Sequence, residues 1–159
     1  MQDVRAVVAD VLDPEVPVLT IEDLGILRDV RVDADGHVEV VITPTYSGCP
    51  ALEAIEASIV ETLHAAGHDD VAVTTVLAPA WTTDWMSEEG RRKLLEYGIA
   101  PPGPATHSHG GPVLVSLGVR CPQCGSLTTR EVSHFGSTAC KSLWVCNSCQ
   151  EPFDHFKAL

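Results

Sequence analysis

The chain has 159 residues, with 22 Asp+Glu against 10 Lys+Arg for a formal charge of −12. That length accommodates one ordinary domain and something smaller, and the acidity argues against a nucleic-acid backbone as partner, because such binding depends on Lys and Arg. No apolar run is long enough to span a bilayer, and Met1-Gln2-Asp3-Val4-Arg5 lacks a signal peptide's basic region and hydrophobic core, so a soluble, cytoplasmic protein is expected.

Val4 to Leu12 opens as a short helix, with Val4, Val7, Val8 and Val11 on one face. Asp13-Pro14 stops it, since a residue before proline is pushed out of the helical region. Prolines at 14 and 17 keep the next stretch irregular, and Ile21-Glu22-Asp23-Leu24-Gly25 reads as one turn closed by glycine. Alternation from Arg28 to Val32, the turn signal Asp33-Ala34-Asp35-Gly36 and a second strand Val38–Ile42 make a β-hairpin. A helix from Ala51 carries Leu52, Ile55, Ile59 and Leu63 on its apolar face and stops near Gly67. Val71 to Leu77 is a third strand, placed parallel to a hairpin strand by a right-handed crossover. The expected fold class is α+β: a small helix–hairpin–helix–strand sandwich with helices on one sheet face. Trp81 and Trp85 precede a further helix capped by Ser87 and ended by Gly98, and they are expected to pack that helix onto the sheet.

Between the second strand and the second helix lies Thr43-Pro44-Thr45-Tyr46-Ser47-Gly48-Cys49-Pro50. Pro50 suits a first helical position, which would put Cys49 at or beside the N-cap, where the helix dipole lowers a thiol's pKa. The plainer alternative is a small residue in a tight turn.

Ile99 to Pro112, rich in Pro and Gly and carrying His107 and His109, has the composition of a linker. It separates a domain over residues 1–98 from a second over 113–159. The acidity is uneven across it: residues 1–105 carry 19 Asp+Glu against 6 Lys+Arg, whereas residues 106–159 carry 3 against 4.

The tail holds two Cys-x-x-Cys pairs, Cys121/Cys124 and Cys146/Cys149, with 21 residues between Cys124 and Cys146. Two such knuckles brought together offer four sulfurs in a tetrahedron, which suits structural zinc; an iron centre is the competing occupant. A tail of this size has too little core to fold alone, so metal binding supplies folding energy. Cys140 is left over, either as a small buried residue or as a thiol facing a partner, with Lys141 beside it to favour the thiolate.

Taken together, Asp13-Pro14-Glu15-Val16-Pro17, the run Ile21–Val30 and Thr43–Pro50 resemble the small α/β domain shared by iron–sulfur assembly factors of the SufT type and the PaaD family. The tail, with Phe135–Lys141 and Glu151–Lys157, resembles the PaaD family specifically. The resemblance covers nearly the whole chain. It implies an accessory protein of the phenylacetyl-CoA epoxidase system of aerobic phenylacetate degradation, assisting iron–sulfur assembly in the reductase rather than performing the oxygenation. Its implied partners are that reductase or the catalytic subunits, and a homo-oligomer is left open. The chain itself has no paired Glu-x-x-His motifs for a di-iron bundle and no Gly-x-Gly-x-x-Gly for a dinucleotide, so no catalytic residue is expected. The family's characteristic positions fall on Asp13, Glu15 and Cys49, implying a transient site for iron or a cluster, and on Cys121, Cys124, Cys146 and Cys149 for zinc. The alternative reading is a non-catalytic adaptor subunit of the oxygenase, with zinc only as a staple.

Overall fold

The computed structural model describes residues 3–103 and 118–158, so His107 and His109 and most of the expected linker lie outside the described residues. The chain divides into two compact units, residues 1–90 and 91–159.

The first unit contains helix α1 (Val4–Ala9), strands β1 (Leu27–Val32) and β2 (Val38–Ile42), helix α2 (Leu52–Ala65), strand β3 (Val71–Thr75), a 3-10 turn at Thr83–Trp85 and the start of helix α3 (Glu88–Glu96). Its sheet runs β1-β2-β3, with β1 and β2 antiparallel and β2 and β3 parallel, as the hairpin and the crossover require. Alternation on β2 buries Val38, Val40 and Ile42 completely. Against them the 3.6-residue spacing of α2 buries Ile55, Ile59 and Leu63. Helix α1 packs on α2 and β1 through buried Val8.

Three local expectations are corrected. Helix α1 ends at Ala9 instead of Leu12, because residues 11–13 turn into backbone pairing with 19–21: Ile21 N–H donates to the Val11 carbonyl at 2.8 Å and Asp13 N–H to Leu19 at 2.9 Å. Helix α2 starts at Leu52 with Ala51 as N-cap, so Pro50 belongs to the preceding turn. The tryptophans pack on the Thr20–Arg28 turn instead of the sheet. Trp81 Nε1 donates to the Leu24 carbonyl at 2.8 Å, and the Arg28 guanidinium lies 3.7 Å over the Trp85 ring. A reciprocal pair, Asp23 N–H to Thr20 Oγ1 and Thr20 N–H to Asp23 Oδ2, fixes that turn. Ser87 caps α3 as expected, its hydroxyl accepting from Gly90 N–H at 2.9 Å.

In the second unit, β4 (Ile99–Ala100), β5 (Thr129–Ser133), β6 (Lys141–Cys146) and β7 (Pro152–Phe156) form one sheet in the order β4-β7-β6-β5. Ile99 and Ala100, expected at the head of the linker, are buried and pair in parallel with Asp154 and His155. The ribbon sheet thus begins upstream of the composition change, because two apolar residues ahead of the prolines suffice to add an edge strand. The buried centre is small: Ala100, Cys121, Cys146 and Phe153, with Val119, Trp144 and Cys149 packed around it.

Candidate functional site

The four tail cysteines converge. Their sulfurs lie within 4.8 Å of one another, and this is the one group of three or more metal-ligating side chains drawn together among the described residues. Each knuckle is closed by a residue in the left-handed region: Gly125 (φ +75°) donates to the Cys121 carbonyl at 2.9 Å, and Gln150 (φ +64°) to the Cys146 carbonyl at 3.0 Å. Ser126 Oγ and Ser148 Oγ, 2.9 Å apart, tie one knuckle to the other.

Zinc–sulfur bonds of about 2.3 Å imply tetrahedral sulfur–sulfur edges of about 3.8 Å. The Cys121–Cys149 and Cys124–Cys146 pairs stand at 3.8 and 3.6 Å, so the donors already have the spacing of a closed tetrahedron. The chemistry of the set agrees. Backbone N–H groups of Cys149 and Ser148 aimed at Cys146 Sγ lower that thiol to about 6. Cys149 has the Glu151 N–H in its favour, yet burial and the other three sulfurs push it up to about 12. Four thiolates this close repel one another unless a cation sits among them. The residues fit a four-coordinate metal with no open position: a structural centre.

Cys140 is kept apart from this cluster. It is buried just before β6, with its sulfur 2.9 Å from Thr138 Oγ1, in a turn where Gly136 N–H donates to Lys141 at 2.7 Å. Lys141 is itself only 5% exposed.

Cys49 sits in the first unit, on the loop between β2 and α2. Its N–H donates to the Tyr46 carbonyl at 3.3 Å, its own carbonyl accepts from Leu52 N–H at 3.1 Å, and Gly48 at φ +82° makes the reversal. The sulfur is half-buried, receiving the Ala51 N–H and the Thr45 hydroxyl. Thr45 was not singled out by the sequence; its spacing of four from the thiol was the only local hint. Asp13 and Glu15 come close enough to act on the sulfur through space. Their effect overturns the expected sign: burial first, then the charges of Glu15 and Asp13, raise the Cys49 pKa above its ordinary 9.0, outweighing the Ala51 and Thr45 hydrogen bonds. A helix-start thiol is activated only where the field around it is positive, and here two carboxylates make it negative.

The two acids differ in their fixation. Asp13 is 6% exposed, and its Oδ1 accepts from the N–H groups of Glu15 and Val16 at 2.9 and 2.8 Å, holding the loop between the prolines. Glu15 is half-buried and lies at that loop's surface. Asp13, Glu15 and Cys49 are therefore neighbours, but they do not close on one point as the four tail cysteines do. The thiol's chemistry makes one expectation concrete: iodoacetamide should alkylate Cys49 more slowly at pH 8 than an ordinary exposed thiol, with the rate still climbing above pH 9. Peptide mass mapping across pH checks this, and a rate that levels off near pH 7 would contradict the negative field.

Among the described residues no helix is long and apolar enough to cross a membrane. Residues 1–75 match the family described as "Iron-sulfur cluster assembly protein", and residues 106–157 match "PaaD zinc beta ribbon domain". Over its full length the chain is 48% identical to an Escherichia coli protein named "Putative 1,2-phenylacetyl-CoA epoxidase", of which it is the D component, and it covers 93% of that protein. It is also 36% identical to an "Fe-S protein maturation auxiliary factor" of Porphyromonas gingivalis, over 58% of this chain and 89% of that one. A crystal structure of a "Domain of Unknown Function DUF59" from Bacillus anthracis superposes with a TM-score of 0.54 at 27% identity, over 57% of this chain and 87% of that chain.

Proposed function

We propose that this chain, which belongs to the PaaD family of phenylacetyl-CoA epoxidase components, is a non-catalytic maturation factor that delivers iron or an iron–sulfur cluster to the system's reductase. The observation behind this is the pairing of a half-buried thiol with two carboxylates that keep it protonated. The same field that disfavours a bare thiolate favours an arriving cation, which displaces the proton and is then held by one soft and two hard donors. When the cation moves on, the proton returns. Coordination that is incomplete and reversible suits cargo in transit, whereas the closed tail centre, read as zinc, suits permanence. The first unit's excess of acid, with 18 Asp+Glu against 3 Lys+Arg over residues 1–90, adds a general attraction for cations.

The second reading, an adaptor subunit stapled by zinc, is favoured by one detail: Asp13 Oδ1 is spent on backbone N–H groups, a scaffolding use. Co-expressing the reductase with and without this chain separates the two, through its iron and acid-labile sulfide content. Maturation predicts higher occupancy with the chain, and Cys49→Ser should bring occupancy down to the level without it while the fold, read by circular dichroism, is kept. Equal occupancy in all three preparations, with the chain retained in fixed ratio to the catalytic subunits, would establish the adaptor instead.

A further inference from the structure

The ribbon sheet has a face that neither the metal centre nor the maturation reading uses. The pairing Ser142↔His155 brings β6 and β7 together so that Ser142, Trp144, His155 and Lys157 share one side, joined by Glu131 of β5 opposite Trp144. These residues line a cavity of about 380 Å³ with Val119 and Ala158 among its apolar walls. That volume lies within the range of small-molecule sites, roughly 300–1,000 Å³.

Its polar groups are ordered. Ser142, 1% exposed, accepts from Trp144 Nε1 at 2.9 Å, and its hydroxyl lies 3.5 Å from His155 Nδ1. With its oxygen occupied by the indole, the serine proton is left for Nδ1, which makes Nε2 the donor of the ring. Burial holds that imidazole below its usual pKa, so it meets a ligand neutral. The His155 ring stands edge-on to Trp144, centroids 5.9 Å apart at 81°, giving the cavity an aromatic wall. Lys157 Nζ donates to the His134 carbonyl at 3.0 Å and lies 4.4 Å over the Phe135 ring, which positions the ammonium with one of its three donors used. The one carboxylate of the wall, Glu131, faces His134 Nδ1 at 3.6 Å and disfavours a second negative charge.

We propose that this cavity is a binding site for a compact aromatic monocarboxylate, its ring against Trp144 and its carboxylate at Lys157 and His155. The site is separate from Cys49 and stands or falls independently of the maturation reading.

The test is a titration of the full-length, metal-loaded chain with benzoate, benzylamine and benzyl alcohol, following the Trp144 indole N–H by NMR and assigning it through Trp144→Phe. Benzoate should shift that resonance saturably, and the cation and the alcohol should bind at least tenfold more weakly. Lys157→Met, a half-exposed position outside the ribbon core, should weaken benzoate about tenfold while the spectrum otherwise stays folded. No saturable shift with benzoate, equal shifts from all three probes, or an unchanged affinity in Lys157→Met would each overturn the proposal.

Discussion

Replacing Cys146 by serine, or stripping the metal with a chelator, is expected to unfold the ribbon while the first unit stays folded. The reason lies in what the ribbon buries. Of the four residues at its centre, Ala100, Cys121, Cys146 and Phe153, two are ligands. Removing the ion therefore removes about half of that core's purpose and leaves like-charged sulfurs 3.6–3.8 Å apart. Structural zinc contributes roughly 10–16 kcal/mol in isolated finger peptides, more than a sheet this small gains from apolar burial. Cys146 is the most damaging single position, being wholly buried and the sulfur that the Ser148 and Cys149 N–H groups address. Hydrogen exchange gives the readout: amides of β5, β6 and β7 should lose protection while those of β2 and α2 keep theirs, with loss of one metal per chain by native mass spectrometry. A ribbon that stays protected without metal would refute this account.

The second large effect is expected at Gly25. Its φ of +71° already penalises any side chain, and an added Cβ would lie 2.5 Å from the Trp85 carbonyl oxygen and 2.7 Å from its Cβ. Both obstacles are backbone or its first carbon, held by the Trp81–Leu24 and Ser87–Asp23 hydrogen bonds, so neither can swing away. The left-handed conformation costs alanine about 1–2 kcal/mol and overpacking about 1–3 more, so Gly25→Ala should lose roughly 2–5 kcal/mol. That is a large share of the roughly 5–15 kcal/mol typical of a whole domain. Gly36→Ala is the matched control: its φ is +89° but nothing lies within 4 Å, so only the conformational cost applies. Denaturant midpoints read from tryptophan emission would show the difference, and equal losses in the two variants would refute the contact.

Much of the architecture was legible because it is written locally. The Asp33–Gly36 turn between alternating residues dictates the hairpin, the spacing of Ile55, Ile59 and Leu63 dictates α2, and the two Cys-x-x-Cys pairs dictate the knuckles. What was not legible depends on residues far apart in sequence. Nothing near Ile99-Ala100 announces that Asp154-His155 will pair with it. The sign of the Cys49 shift could not be read from its place before a helix, because the deciding charges stand more than thirty residues earlier. Ser142 and His155 look ordinary until the strand register sets them side by side.

The short strand β4 changes what kind of segment lies between residues 103 and 118. A tether joins two bodies and parts them when cut. Here the chain enters the ribbon sheet at its β4 edge before leaving, and on return Val119 is fastened to Thr129 at the opposite edge, through Val119 N–H to Thr129 Oγ1 at 3.2 Å and Thr129 Oγ1 to the Val119 carbonyl. The intervening residues are an excursion with both feet in one sheet. Nature can therefore lengthen, shorten or recompose that excursion without redrawing the frontier between the units, which is set upstream, within α3. A ribbon cut out at the change of composition would leave behind one of its own strands.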